Sequence, residues 1–345
     1  MKKHKMSFVR KTRKAALIII CLCFIEQTVY AGTWNWSNEG ESGAWQFAFS
    51  DDGQYVAASP GNSGIAVSLP VYVSSDGGET WTSSSSGGAR WLDICSSSDG
   101  SRLAAANFTD NIYTSDDYGS TWTQQTGSAG SGWTDIACSS TGQLLIAAAY
   151  GGYIYLSTNY GVSWSNVSTL STSNYWKGVA SSADGSVLAI ANNTSSGRNI
   201  KVSRDSGATW SNLGSSTQWY DVACSADGNT IYAVQQTGYV YLFTYNGSYW
   251  SSTQTSSGSA DWRSVCCSAS GRVVIAGAYG GSVYISSNFG STWEEQTSLS
   301  SSGNWMGVGI SPDGRVAFAS DGYYSAVYRA EYEATETQVM TIMSS

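Results

Sequence analysis

Apolar residues in this chain come in short bursts. One representative stretch reads Trp133-Thr-Asp-Ile-Ala-Cys138, then Leu144-Leu-Ile-Ala-Ala-Ala149, then Tyr153-Ile-Tyr-Leu156, with Gly142, Gly151-Gly152 and Gly161 punctuating the runs. Bursts this short, separated by glycine, predict β-strands joined by tight turns. A fourth, more polar strand is expected after Trp164. No helical period is visible anywhere in the sequence.

The stretch recurs. Trp45, Trp91, Trp133, Trp176, Trp219, Trp262 and Trp305 open seven units at steps of 42 to 46 residues. Four strands in roughly 43 residues is the size of one propeller blade, so the expected fold is all-β: a seven-bladed β-propeller of four-stranded antiparallel blades. The seventh unit runs Trp305-Met-Gly-Val308, Val316-Ala-Phe-Ala319 and Ala326-Val-Tyr-Arg329, and then lacks a fourth strand. Thr33-Trp34-Asn-Trp36 supplies a match, because Thr-Trp also opens fourth strands at Thr121-Trp122, Thr209-Trp210 and Thr292-Trp293. An N-terminal strand joining the last blade would close the ring and leave no exposed edge. The propeller is expected over 32–330, with 331–345 a short flexible tail.

A second motif lies between the third and fourth strands of each unit. It reads Ser74-Ser-Asp76-Gly-Gly78-Glu-Thr80-Trp81, Ser115-Asp-Asp117-Tyr-Gly119-Ser-Thr121-Trp122, Ser157-Thr-Asn159-Tyr-Gly161-Val-Ser163-Trp164, Ser203-Arg-Asp205-Ser-Gly207-Ala-Thr209-Trp210 and Ser286-Ser-Asn288-Phe-Gly290-Ser-Thr292-Trp293. The fifth unit has only Tyr245-Asn-Gly247-Ser-Tyr-Trp250, and the seventh has no copy. These turns resemble the Asp box, or bacterial neuraminidase repeat, of the sialidase, xyloglucanase and photosystem II assembly-factor type of propeller. The resemblance implies a structural role for Asp76, Asp117, Asn159, Asp205 and Asn288 and for Trp81, Trp122, Trp164, Trp210 and Trp293. It also implies that any ligand site is built on the opposite face. No Phe-Arg-Ile-Pro motif or arginine triad of sialidase kind is present.

Charge and composition then narrow the chemistry. Seven Lys and Arg residues precede an apolar run, Ala15 to Ile25, and Val29-Tyr-Ala31 follows. That layout predicts a secretory signal peptide over 1–31, and so a secreted or extracytoplasmic protein. The apolar run is too short for a permanent membrane span. Beyond Ala31 there are 10 basic and 24 acidic residues, a balance that disfavours nucleic acid and anionic lipid as partners. The single histidine, His4, lies in the leader, so neither His-dependent catalysis nor a His-ligated metal is expected, and no cofactor is implied. Cys95, Cys138, Cys224, Cys266 and Cys267 remain, an odd number that leaves at least one thiol unpaired.

Candidate function rests on loops and carboxylates. Tyr150, Tyr279, Asn107 and Gln235 fall in loops between second and third strands, where rings can stack on sugars and amides can bond hydroxyls. The blade-opening tryptophans suit sugar stacking or, alternatively, wedging between blades. Asp93, Asp135 and Asp221 stand two residues after such a tryptophan, and a pair of them could serve as acid and base in glycoside hydrolysis or merely bond an adjacent strand. Glycosylation sequons occur at Asn35, Asn107, Asn166, Asn192, Asn193 and Asn246. The resulting expectation is a secreted, non-catalytic binding or scaffold propeller that recognises a glycan or a protein partner through these loops. A glycosidase-like enzyme and a photosystem-assembly-type scaffold are the alternatives.

Overall fold

A computed structural model describes residues 32–39, 46–61, 69–128, 132–170, 175–194, 199–215, 217–322 and 326–334. The expected leader, Trp45 and residues 335–345 lie outside these. The described residues contain 28 strands and no helix. Five sheets have four antiparallel strands each, laid side by side in sequence order. The second unit is typical, with Trp91–Ser96 innermost, followed by Leu103–Asn107, Tyr113–Ser115 and Thr123–Gln124.

The sixth sheet has eight strands because it joins two units. A short bridge pairs Tyr279 with Asn304 and Gly281 with Gly303, linking Val274–Gly281 to Gly303–Ile310. At the far edge of this sheet Gly32–Asn38 lies beside Ala326–Ala334, the neighbour the sequence pattern gave it. Trp36 Nε1 donates to Gln296 Oε1 at 3.0 Å, and the amide of Glu39 donates to the Val327 carbonyl at 3.0 Å. The last strand continues to Ala334, four residues past the expected end of the repeat.

The core is a series of layers between neighbouring sheets. Second strands are buried on both faces, and their small side chains, as in Ala104-Ala105-Ala106, let adjoining sheets approach closely. Into each layer projects an opening tryptophan. Trp91, Trp133, Trp176, Trp219, Trp262 and Trp305 are fully buried, and Trp219 packs with Ala189, Ile200 and Val202 of the preceding unit. The inner strands pack in order from Gln46–Phe49 to Gly303–Ile310, and the last also packs on the first. There Phe318 stacks on Phe47 with ring centroids 5.0 Å apart, and Gly78 meets the same Phe318 ring.

A bulge follows the tryptophan in six inner strands, where register shifts between Trp91 and Asp93, Trp133 and Asp135, Trp176 and Val179, Trp219 and Asp221, Trp262 and Ser264, and Trp305 and Gly307. Bulges bend a strand and redirect side chains. This one aims the residue two past the tryptophan at the next sheet.

The hairpin between first and second strands holds a further repeat. Ser97 Oγ donates to Asp99 Oδ1 at 2.6 Å and accepts the Arg102 amide at 3.0 Å. Ser50, Ser139, Ser182, Ser225, Ser268 and Ser311 take the same place, each accepting the amide five residues on. The next residue of each hairpin binds across to the following sheet: Asp51 N–H to Ser98 O, Ser98 to Ser140, Ser140 to Ala183, Ala183 to Ala226, Ala226 to Ala269, and Ala269 to Pro312. Pro312 has no N–H and passes nothing on.

Candidate functional site

The three candidate carboxylates all sit on the bulged inner strands and line one central cavity of about 280 Å³. Each accepts a backbone amide from a neighbouring sheet. Ile136 N–H donates to Asp93 Oδ2 at 2.7 Å, Val179 to Asp135 Oδ2 at 3.2 Å, and Val265 to Asp221 Oδ2 at 2.9 Å. Ser264 Oγ does the same for Val308 at 3.2 Å. Where Gly178 replaces an acid, a Cβ would lie 2.5 Å from Asp221 Oδ1, so the fourth unit leaves room for the fifth unit's carboxylate.

Asp93 and Asp135 also bond each other, and two touching carboxyls cannot both ionise. Desolvation raises the pKa of both. It pushes Asp221 up to about 7, and the Asp93 charge adds to the effect. Cys95, Cys138, Cys224, Cys266 and Cys267 line the same cavity, and all five are free. Burial pushes the Cys224 thiol up to about 12 and Cys266 to about 11, which keeps them protonated and inert. Among the described residues no three His, Cys, Asp or Glu side chains are grouped to hold a metal ion.

At the end of the sheets where the inner strands begin, strand ends and the loops beside them carry a strip of aromatic and cationic side chains. The Arg90 guanidinium lies 4.0 Å from the Phe108 ring centroid, and Phe108 neighbours Tyr150 at 6.4 Å. Tyr150 packs on Tyr175 at 5.0 Å. Lys177 Nζ stands 5.9 Å from Tyr150 and 5.1 Å from Tyr220. Arg263 continues the strip, 4.6 Å from Tyr220 and 5.2 Å from Tyr279, and is held by Asp261 at 2.7 Å. Tyr150, Tyr175 and Tyr279 remain 51%, 46% and 49% exposed. The strip crosses five consecutive units.

The candidates thus separate. Tyr150 and Tyr279 meet on the strip, together with Arg90, Phe108, Tyr175, Lys177, Tyr220 and Arg263, none of which the sequence reading selected. Asn107 and Gln235, expected on the same surface, turn inward instead. Asn107 is buried with its Oδ1 accepting the Thr109 amide at 3.0 Å, and buried Gln235 Oε1 accepts the Tyr239 amide at 3.2 Å. Both shape their own loops, because an amide oxygen can accept a turn N–H in place of water. The described opening tryptophans are out of reach of any ligand. Trp91, Trp219, Trp262 and Trp305 donate Nε1 to the carbonyls of Gly87, Ser215, Gly238 and Gly281. Of the sequons, Asn35, Asn166 and Asn246 are exposed and Asn107 and Asn192 are buried.

At the opposite end lie the Ser-x-Asp-x-Gly turns. Asp76 accepts from the Thr80 amide at 2.9 Å and the Thr80 hydroxyl at 2.5 Å, which holds its pKa down at about 2. Asp117 and Asp205 repeat the geometry on Thr121 and Thr209. Asn159 and Asn288 keep the amide bond and reverse the other, donating Nδ2–H to Ser163 and Thr292. Gly78, Gly119, Gly161, Gly207 and Gly290 take φ of 73–90°. Trp122, Trp164 and Trp210 donate Nε1 to the carbonyls of Gly119, Gly161 and Gly207, and Trp81 and Trp293 leave theirs unbonded.

No protein-family model and no curated protein sequence matches the chain. Solved structures do. YCF48 from Cyanidioschyzon merolae superposes with a TM-score of 0.63 at 16% identity, over 86% of this chain and 98% of that one. The β-propeller domain of Cps50 (Swd1) from Myceliophteria thermophila gives 0.66 at 12% identity, over 87% and 100%. This chain is a β-propeller. A xyloglucanase from Xanthomonas campestris gives 0.61 at 14% identity over 84% of this chain, which spans 53% of the enzyme. Identities this low speak for the propeller fold and not for any one activity. Within the described residues, no helix of the propeller is long and apolar enough to cross a membrane.

Proposed function

We propose that this protein is a secreted, non-catalytic scaffold: a closed seven-bladed Asp-box propeller that holds a protein partner on its loop face. Seven Ser-centred hairpins and the packing of the last inner strand on the first support the blade count and the closure. The hydrogen bonds of Asp76, Asp117 and Asp205 support the Asp-box reading. The function rests on the strip from Arg90 to Tyr279, where three tyrosines stay about half exposed in an otherwise polar, acidic chain. Exposed, clustered aromatics and cations are the composition of protein-binding hot spots. Propellers resembling this one carry partners, as YCF48 bound to D1 peptide and a propeller of the mitotic checkpoint complex illustrate. In this reading Asp93, Asp135 and Asp221 clip blade to blade, since each already spends its carboxylate on a neighbouring amide.

The test is site-specific photocrosslinking of the secreted protein in its own host. A benzophenone side chain placed in turn at Tyr150, Tyr175 and Tyr279 is expected to capture one and the same protein. The same group at Tyr249, exposed by the outer strand of the fifth blade, is expected to capture none of it. Three unrelated sets of products, or glycan binding that Tyr150→Ala abolishes, would remove the protein-scaffold reading.

A further inference from the structure

Two neighbouring blade junctions are built from the same positions and differ in what fills them. Between the first and second blades, the Tyr55 ring stacks on Tyr118 with centroids 4.5 Å apart, and only about 10 Å³ of space is left. Between the second and third blades Arg102 stands in place of Tyr55, Thr114 in place of Val73, and Tyr160 in place of Tyr118. There the cavity measures about 180 Å³. A cavity of roughly 150 Å³ already accommodates a benzene ring.

The walls of this cavity are chemically sorted. Leu103 and Leu145 supply an apolar side, and the Arg102 guanidinium stands against the Tyr160 ring, 4.3 Å from its centroid. Arg102 enters no ion pair among the described residues. The hairpin glycine of the third blade, Gly142, packs beside its stem, so close that a Cβ there would sit 3.2 Å from Arg102 Cβ. Thr114 Oγ1 accepts Gln125 Nε2–H at 2.6 Å, which leaves its own hydroxyl proton to donate. A preplaced guanidinium beside an aliphatic wall matches a carboxylate on a short apolar body. Asp116 also lines the pocket, and its negative charge sets a doubly charged anion at a greater disadvantage than a singly charged one.

We propose that the junction between the second and third blades is a binding pocket for a small organic monocarboxylate of about benzoate size. The carboxylate pairs with Arg102 and Thr114, and the apolar body rests on Leu103 and Leu145. The pocket lies at the opposite end of the blades from the Tyr150–Tyr279 strip and stands whatever that strip binds.

Sodium benzoate is the probe, followed by saturation-transfer difference NMR and a chemical-shift titration of the intact secreted protein. Benzoate is expected to saturate the site, and neutral benzamide to bind at least tenfold more weakly. Arg102→Tyr rebuilds the filled first junction and is expected to abolish the signal. Thr114→Val, which copies Val73, is expected to weaken binding several-fold, and it carries the test if Arg102→Tyr fails to fold. No saturation by benzoate, equal binding of benzamide, or binding unchanged in both variants overturns the proposal.

Discussion

The two ends of the blades follow different rules. At the hairpin end the units repeat: a serine accepts the amide five residues on, and in all but the last the next residue bonds to the following sheet. At the loop end the units differ, with an arginine before the tryptophan in one, a tyrosine before it and a lysine after it in another, and rings left half exposed. The backbone amides of this repeat are satisfied internally. Groups that vary are free to meet something else. The difference separates residues that build the propeller from residues it presents.

Four variants would break or sharpen this contrast. The largest effect is expected from Trp219→Ala, which empties a fully buried layer between blades and should cost about 3–5 kcal/mol in urea denaturation. Next comes Asp221. Its folded pKa of about 7 lies above the ordinary 3.8, so its contribution to stability is complete below about pH 4 and is lost as pH rises through 7. Asp221→Asn keeps an oxygen for the Val265 amide but turns Nδ2–H toward the Val222 amide, which the other carboxylate oxygen accepts at 2.8 Å, so the variant should melt below the parent at pH 4 and recover several degrees relative to it at pH 9. An equal change at both pH values would contradict the linkage. Ser225→Ala strips one hairpin of its bond to the Thr230 amide and should cost about 1–3 kcal/mol by the same denaturation assay. The smallest effect belongs to Tyr150→Ala combined with Tyr279→Ala, expected to change stability by under about 0.5 kcal/mol per site while removing the crosslinked partner.

Much of the architecture was legible in the residues themselves. Apolar bursts at a 43-residue rhythm expose strands because four-residue runs between glycines have few other uses, and Thr33-Trp34 could be matched to the edge it joins. The Ser-centred hairpins were equally regular, yet in a chain this rich in serine a small polar turn looks like linker. The site was harder to read. Tyr150 and Tyr279 stood out as loop aromatics, but Arg90, Lys177 and Arg263 are far apart in sequence, and they fall on one strip only because the fold sets each beside rings of its own unit or of a neighbouring one. Asn107 and Gln235 misled because a polar side chain in a loop reads the same whether it faces a ligand or caps its own turn.

In the closed ring proposed above, Pro312 makes a seam. Six amides hand hydrogen bonds from blade to blade, and the relay stops where a pyrrolidine nitrogen has nothing to donate, beside the hairpin in which Gly53 faces Ser311. Thermal opening should therefore start between the last and first blades. In hydrogen exchange the Asp51, Ser98, Ser140, Ala183, Ala226 and Ala269 amides would form a gradient, fastest nearest that seam. The N-terminal strand, paired beside Ala326–Ala334, then acts as a latch across the weakest joint, and a circular permutant cut elsewhere in the ring would move the latch away from the place that needs it.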